Sequence, residues 1–317
     1  MPGQRWVLYQ PAGAGYLTFP TLSDELRRAT YPLYEFRQFV RPDPSPSRKG
    51  EIHYFNRVGR VTTLVEPIGE QENFRPLPAP SVARGQLIVE DYGAYFEWTE
   101  RLERFAEWDV QQILIETLKL NMQHNLDVLV ARTLKSTPIK AVPISASAVT
   151  IATAPPYPQA GAPGLTNAHV KDVIDFMRLT LQVPPYDGSN YVCIAHGAAI
   201  RVLHDQISDQ FLKYTSPDIF YTSEVAQWYG CRFVQTNNSD ALSPAAGTGP
   251  TKTAEAIFLA FDPIIEAISV PEEIRLEVVP GTFGRIKRVA WFFSGGWALT
   301  WDTPNPGECR VVHFTSG

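Results

Sequence analysis

Two histidines and an aspartate are the first residues whose types and spacing could do chemistry. His196 and His204 are eight residues apart, and Asp205 follows the second histidine. On one helix the two imidazoles would share a face but lie two turns apart, too far to hold one metal ion without ligands from a third element. The sequence therefore predicts no metal site here.

Other stretches resemble nucleotide-binding or nucleophile motifs only in part. The segment GTGPTKT at 247–253 has Thr251 where a phosphate-binding loop has glycine before its lysine. Gly13 and Gly15 lack the third glycine and the preceding strand of a dinucleotide-binding turn. Ser294 has no nucleophile-elbow pattern around it. We therefore predict no catalytic, cofactor-binding or metal-binding residue and expect a protein that is not an enzyme.

Composition narrows the class of protein further. The 317 residues are 44% hydrophobic and 19% charged, enough for a substantial core. The formal net charge of −5 disfavours a large nucleic-acid-binding face, and no apolar run approaches the roughly 18 residues of a membrane span. The N-terminus lacks the apolar core of a secretory signal, and the three cysteines are far apart. These features predict a cytoplasmic protein with free thiols.

A long two-stranded ribbon is the most distinctive element, predicted over residues 48–99. Residues 52–59 alternate with strand periodicity, and neither face is cleanly apolar. Prolines between 67 and 80 mark an irregular tip, and residues 81–99 are predicted to return as a strand. An isolated two-stranded ribbon is marginally stable in water. This ribbon is therefore expected to lie on a second surface.

The charges at the two ends of this region are complementary. By counting, residues 48–60 carry about +3 and residues 90–109 about −5. The acids can be explained by the positive N-terminal end of the following helix, by the ribbon of another copy, or by both. We hypothesise that a basic residue of one ribbon contacts an acid at the helix start of another copy. The candidate basic residues are Arg57 and Arg60, and the candidate acids are Glu97, Glu100, Glu103 and Glu107.

Two helices follow the ribbon. The first is predicted over residues 104–135, where an apolar stripe recurs at spacings of three and four. A helix of that length spans roughly 45 Å, the width of a domain. The second is predicted to begin after Asn167 as its N-cap.

The remaining chain predicts a compact α/β region followed by long strands. In residues 190–262, SNYVCIAH has the pattern of a buried strand and GAAIRVLHDQISDQF that of a helix. From Glu273 onward, two or three long strands are predicted, with breaks at residues 280–281 and 295–296. The α/β region is thus inserted in the chain between two segments that are expected to pack around the long helix.

Several segments resemble one coat subfamily of the tailed-phage major capsid proteins. These are YPLYEFRQFVRP before the ribbon, GEIHYFNRVGRVTTLVEPIGE and QLIVEDYGAYFEWTE on its two strands, and YTSEVAQWYGCRFVQTNN in the α/β region. The order of these parts along the chain is stronger evidence for the resemblance than any one segment. The resemblance covers roughly residues 32–302.

The resemblance implies an α+β, Hong Kong 97-like capsid fold with a spine helix and a nested domain. The implied parts are an N-terminal arm at 1–47, an extended loop at 48–99, a peripheral domain at 100–189 and 263–317 with its spine helix at about 104–135, and an axial domain at 190–262.

The resemblance also implies a major capsid protein that self-assembles as pentamers and hexamers into an icosahedral shell. The shell would enclose packaged double-stranded DNA without sequence-specific contacts. Expected partners are further copies, a separate scaffolding protein, a portal and, in some members, a cement protein. The protein would be located in the virion after assembly in the host cytoplasm, with no cofactor and no membrane contact.

Two alternatives stay open at this point. An encapsulin-like compartment shares the fold but would enclose enzyme cargo. A sugar-binding protein or hydrolase is suggested by the Trp-rich tail with Trp291, Trp297 and Trp301. Aromatic residues in alternating strands are more often core or interface than a ligand platform.

Overall fold

The computed structural model describes residues 35–43, 51–61, 63, 67–68, 77–211 and 227–316. Most of the predicted N-terminal arm and of the ribbon tip lies outside these residues. The strands are β1 Val40–Asp43, β2 Ile52–Val58, β3 Val82–Ile88, β4 Glu90–Thr99, β5 Lys140–Ser145, β6 Ala148–Ala152, β7 Tyr191–His196, β8 Gln227–Trp228, β9 Cys231–Thr236, β10 Ala256–Leu259, β11 Ile264–Val278, β12 Ile286–Leu299 and β13 Val311–Phe314. The α-helices are α1 Glu100–Phe105, α2 Val110–Lys135, α3 Asn167–Asp175 and α4 Gly197–Phe211.

The long helix α2 packs on a four-stranded sheet with the order β1-β11-β12-β4. Its predicted apolar stripe faces this sheet, and Leu114, Leu118 and Leu126 are buried there. The sheet contributes Trp98 and Phe293 to the same core cluster. The 3.6-residue period places these leucines on the face that meets the sheet, whereas from Leu126 onward the helix is also buried against a second cluster that contains Val130 and Leu134.

The predicted helix of residues 104–135 is present, but it begins later. Thr99 caps the short helix α1, which ends when Ala106 adopts an extended conformation. Asp109 then caps α2 by accepting a hydrogen bond from the backbone amide of Gln112 at 3.2 Å. The start at residue 104 was wrong because two successive capping residues divide this region into separate helices.

A second core lies in a seven-stranded sheet with the order β6-β5-β13-β10-β7-β9-β8. The predicted strand SNYVCIAH and helix GAAIRVLHDQISDQF correspond to β7 and α4. Helix α3 begins one residue earlier than predicted, since Thr166 rather than Asn167 is its N-cap. The sheet takes β5, β6 and β13 from outside residues 190–262, so its strands lie on both sides of the predicted boundary.

The tail forms a long antiparallel hairpin of β11 and β12. The predicted break at 280–281 is a turn between these strands. The predicted break at 295–296 was wrong, because Gly295 and Gly296 lie inside β12. Both glycines are crowded: a Cβ at 295 would lie 2.8 Å from the Ala267 carbonyl oxygen. Glycine here permits close packing of strands rather than a turn.

The returning strand of the predicted ribbon changes its partner at Val89. Residues before it, in β3, pair with β2 in a separate two-stranded sheet, the ribbon. Residues after it, in β4, pair with β12 in the four-stranded sheet. The prediction of one ribbon strand over 81–99 was therefore too long, because the second half belongs to the sheet that supports α2.

Candidate assembly surfaces

The inner face of the β2–β3 ribbon lies on its own chain. Leu87 is buried in a cluster with Ile265 and Ala267, and the half-buried Phe55 packs against it. His53 Nε2 lies 3.0 Å from a carboxylate oxygen of Asp43. The ribbon therefore has the second surface that its sequence required, but on one face alone.

The two basic residues predicted for an inter-subunit contact have partners within the chain. Arg57 forms an ion pair with Asp302, and it donates to the Leu299 carbonyl oxygen at 3.3 Å. Arg60 donates to the side-chain oxygen of Gln182 at 2.7 Å. The end of the ribbon is thus held near the C-terminal end of β12.

The outer face of the ribbon is exposed and carries an apolar pair at each end. Cross-strand partners Ile52 and Ile88 are 42% and 50% exposed, and partners Val58 and Val82 are 60% and 69% exposed. Tyr54 lies between these pairs on the same face and is 54% exposed. Gln86, Asn56 and Arg84 lie between the two apolar pairs on this face, so it combines exposed apolar and polar side chains, as protein–protein contact surfaces do.

The four predicted acids cluster around α1 and the end of β4, and three of them have intrachain partners. Glu97 accepts from Arg288 at 2.7 Å, and Glu103 accepts from Lys287 at the same distance. Glu100 pairs with Arg104 one turn away. Glu107 is exposed in the segment between α1 and α2. Glu100 and Glu103 also lie in the first turn of α1, where carboxylates complement the helix dipole.

An open groove of about 760 Å³ lies between α1 and the turn of the β11–β12 hairpin. Phe105, which is 80% exposed, and Phe283, which is 100% exposed, contribute aromatic rings to it. Phe283 has a φ of 52°, which is rare for a residue with a bulky side chain. The sequence pattern did not predict this groove. The available signal was Phe283, a large apolar residue close to Pro280 and Gly281 in a predicted turn.

A buried polar network connects α2 to the seven-stranded sheet. Glu255 accepts hydrogen bonds from Lys135 Nζ at 3.0 Å and from the Ser243 amide at 2.7 Å, and it lies 3.1 Å from His313 Nε2. Lys140 Nζ lies 2.9 Å from the other ring nitrogen of His313. The geometry fits a neutral imidazole that donates to Glu255 and accepts from Lys140.

The pKa values in this network follow from burial and from these contacts. Burial lowers the pKa of His313 to about 4, against a smaller opposing effect of Glu255. Burial opposes ionisation of Glu255, but the His313 hydrogen bond and nearby positive charges outweigh it and lower the pKa to about 2. Burial also lowers the pKa of Lys140 to about 8. Glu255 is thus an anion at neutral pH, held by partners from several elements.

The sequence-level candidates for chemistry are not assembled into a site. His196 ends β7 instead of lying on the helix with His204, and its Nδ1 accepts from the Ala198 amide at 3.1 Å. The side chain of His204 lies outside the described part of the chain. Ser294 is buried within β12. No group of three or more His, Cys, Asp or Glu residues within the described ranges could hold a metal ion.

Two of the three tail tryptophans, Trp291 and Trp297, belong to the core, and Trp301 is half-buried with the Arg310 guanidinium 5.8 Å from its ring centroid. Trp291 is 4% exposed and donates to Asn121 Oδ1 at 3.3 Å. Trp297 is half-buried and donates to Glu266 at 3.0 Å. The sugar-binding alternative thus loses two of the three tryptophans that suggested it. Among the described helices, none is long and apolar enough to cross a membrane.

Comparison with known proteins gives one consistent result. No family model and no curated protein matches the sequence. The capsid of Ralstonia phage GP4 is 12% identical, covers 98% of each chain and has a TM-score of 0.66. The cyanophage Pam1 capsid is 10% identical over 96% of this chain and 98% of that chain, with a TM-score of 0.67. The head of Helicobacter pylori bacteriophage KHP40 is 10% identical over 97% and 98%, also with a TM-score of 0.67.

At these identities the likeness establishes the fold alone. The fold is that of phage capsid proteins. More particularly, it is the α+β, Hong Kong 97-like fold that the sequence resemblance implied.

Proposed function

We propose that this chain is the major capsid protein of a tailed phage, a structural protein that self-assembles as pentamers and hexamers into an icosahedral shell. The observation that carries the proposal is the ribbon of a capsid-type fold, which has one face packed on its own chain and an exposed apolar pair at each end of its outer face. The pairs Ile52–Ile88 and Val58–Val82 would be covered by neighbouring copies in the shell.

The shell would enclose double-stranded DNA without sequence-specific contacts. The net charge of −5 supports this, because a strongly basic inner wall would bind DNA phosphates and resist both packing and release. Scaffolding, portal and cement proteins are proposed as partners, with assembly in the host cytoplasm and a final location in the virion.

The division into peripheral and axial domains stays a proposal. Sheet membership favours moving β5, β6 and β13 into the axial domain, since they share a sheet and a core with β7, β9 and β10. The peripheral domain would then be built on α2 and the four-stranded sheet. The buried Glu255 network would connect the two domains.

The charge contact between copies is proposed in a narrower form. Arg57 forms an ion pair with Asp302 within the chain. Arg60 is exposed and donates a hydrogen bond to the neutral side chain of Gln182. Glu107 is exposed and, unlike Glu97, Glu100 and Glu103, forms no ion pair within the described part of the chain. A contact between Arg60 of one copy and Glu107 of another therefore requires no exchange of an existing ion pair.

Assembly of the purified chain tests the proposed function. Negative-stain electron microscopy and light scattering should reveal closed shells, tubes or rings of five and six. A double variant, Val58→Asp with Val82→Asp, places acids on the outer ribbon face and should remain folded but fail to assemble. Leu179→Asp, at a site that is 73% exposed on another surface, is the matched control and should assemble. A wild-type chain that stays monomeric or dimeric would overturn the proposal, and shells that enclose enzyme cargo would favour the encapsulin-like alternative.

A further inference from the structure

We infer that an open pocket between the end of the ribbon and the segment after α3 binds a phosphate group. The pocket has a volume of about 450 Å³, and its charged lining residues are Arg60, which follows β2, and Arg178, which follows α3. Free phosphate and the phosphodiester of a nucleic acid present the same anionic oxygens to such a site. This inference goes beyond the proposed function and does not depend on it.

The pocket offers positive charge and hydrogen-bond donors without a carboxylate. The amide of Gln182 and the hydroxyl of Ser189 accompany the two guanidiniums, and none of the described residues that line the pocket is acidic. An arginine presents a planar fork of N–H donors that matches the oxygens of a phosphate. This donor set therefore fits a compact anion with several acceptor oxygens.

The charge of Arg178 is not neutralised by a carboxylate. Arg178 forms no ion pair with the described part of the chain. Its guanidinium instead lies over two tyrosine rings, 5.7 Å from the Tyr191 centroid and 5.9 Å from the Tyr229 centroid. The carboxylate of Asp175 accepts a hydrogen bond from the Tyr229 hydroxyl at 3.1 Å. The positive charge of Arg178 is therefore available to an anion in the pocket.

The surroundings of Arg178 restrict where its side chain can lie. Tyr191 is 2% exposed, and its hydroxyl donates to the Val183 carbonyl oxygen at 2.8 Å, so this ring is fixed in the core. Gly230 leaves the space that the guanidinium occupies, because a Cβ at that position would overlap it. A side chain that is already restricted loses less conformational entropy when it binds an anion.

The backbone is unusual where it presents Arg178 and Gln182 to the pocket. Arg178 lies in a π-helical turn, Phe176–Thr180, whose carbonyl oxygen at Phe176 accepts from the Leu181 amide at 2.9 Å. Gln182 has a φ of 51°, in the left-handed region that residues other than glycine rarely adopt. Both kinds of deviation are concentrated at functional sites, where the surrounding structure maintains the strain. Two of them within residues 176–182, each presenting a polar side chain to one pocket, indicate a binding site.

Gln182 also orients Arg60. Its side-chain oxygen accepts a hydrogen bond from Arg60 Nη1 at 2.7 Å. This contact uses the acceptor of the amide and leaves its NH₂ group to donate to an anion. The guanidinium of Arg60 has further N–H donors beyond the one that Gln182 binds. Both side chains can therefore donate to one phosphate.

The size of the pocket exceeds that of a phosphate alone. Its volume lies within the roughly 300–1,000 Å³ that is typical of small-molecule sites. It therefore accommodates a phosphate with its hydration water or with the sugar of a phosphodiester. A nucleic acid held here would be bound through its backbone, and such contacts carry no direct sequence information.

Isothermal titration calorimetry of dilute, unassembled chains tests the inference. Unassembled chains are used because Arg60 is also proposed to contact Glu107 of another copy. Inorganic phosphate should bind the wild-type chain at one site. Arg178→Gln and Arg60→Gln should each weaken this binding by about tenfold or more, because each removes charge-assisted hydrogen bonds to the anion.

Arg84→Gln is the matched control. Arg84 is exposed, and its guanidinium also lies over a tyrosine ring, 5.6 Å from the Tyr54 centroid, but it does not line the pocket. This variant should bind phosphate as wild type does. Arg178→Lys keeps the charge without the planar fork and should have an intermediate affinity. Phosphate should also raise the Tm of wild type and Arg84→Gln, but much less that of Arg178→Gln.

Competition with a short double-stranded DNA identifies the source of the phosphate. DNA that displaces inorganic phosphate from the wild-type chain would assign the site to a nucleic-acid backbone. DNA that leaves phosphate binding unchanged would assign it to free phosphate. A wild-type chain that binds no phosphate, or that binds it no more tightly than both glutamine variants do, would overturn the inference and leave the proposed function intact.

Discussion

Gly296 of β12 lies directly against the carbonyl oxygen of Ile88 at the base of the ribbon. A Cβ at position 296 would fall 2.1 Å from that oxygen and 2.9 Å from the Leu87 side chain. The contact is between backbones, so neither side can move away by rotating a side chain. This close approach fixes where the ribbon leaves the sheet.

Gly296→Ala should therefore destabilise the folded chain. Separating the two backbones disturbs the buried Leu87 cluster, and overpacking of this kind costs about 1–3 kcal/mol. Urea denaturation of the unassembled subunit measures the effect. Gly249→Ala is the control, because its nearest neighbour is the flexible side chain of Gln159 at 2.9 Å. Equal stability of the two variants would contradict the assigned role of Gly296.

Asp127→Ala should release the segment at residues 35–39 from the spine helix. The buried carboxylate of Asp127 accepts hydrogen bonds from the Phe36 amide at 2.9 Å and the Arg37 amide at 3.1 Å. Removing it leaves buried donors without a partner, at a cost of about 1–3 kcal/mol. Thermal unfolding and the rate of tryptic cleavage at Arg37 would both report the change. Asp127→Asn keeps an acceptor oxygen and should lose less stability; cleavage rates that do not differ among wild type and both variants would refute the contact.

His313 should make the subunit less stable in mild acid. Its pKa is lowered from 6.5 in the unfolded chain to about 4 in the folded chain, because burial disfavours the charged ring. As pH falls from 6.5 to 4, the unfolded state therefore binds a proton that the folded state does not. The free energy of unfolding should fall over this range by at most about 3 kcal/mol.

His313→Gln tests that dependence, because an amide can still donate to Glu255 but does not titrate. Its unfolding free energy, measured by urea denaturation at several pH values, should fall less than that of wild type between pH 6.5 and 4. Below about pH 4 both chains should lose stability, since Glu255 has a folded pKa of about 2 and an unfolded pKa of 4.5. Parallel curves above pH 4 would rule out the His313 effect.

Leu118→Ala should cost about 2–5 kcal/mol, since this side chain is 1% exposed in the core between α2 and its sheet. Leu179→Ala removes the same atoms from a side chain that is 73% exposed, and its expected effect is within about 0.5 kcal/mol. Denaturant midpoints of the two variants make the comparison. A small loss at Leu118 would mean that α2 is not held by this packing.

Local patterns predicted the elements well where one face of an element is buried. The stripe through Leu114, Leu118 and Leu126 predicted the long helix, and the alternation of residues 52–58 predicted β2. Boundaries were less predictable, since caps at Thr99 and Asp109 divided one predicted helix into two. The aromatic groove was missed because its parts, Phe105 and Phe283, are far apart in the chain.

The sequence by itself determined the periodic elements, their order along the chain and the complementary charges at the two ends of the ribbon region. These follow from short-range spacing and from composition, which act without reference to distant residues. Only the tertiary structure decided that the returning strand changes partner at Val89, that Gly295 and Gly296 serve strand packing rather than a turn, and that Arg57 pairs with Asp302. These outcomes depend on contacts between residues far apart in sequence. Each strand or side chain has several possible partners, and the most stable pairing is decided only when the whole fold brings those partners together.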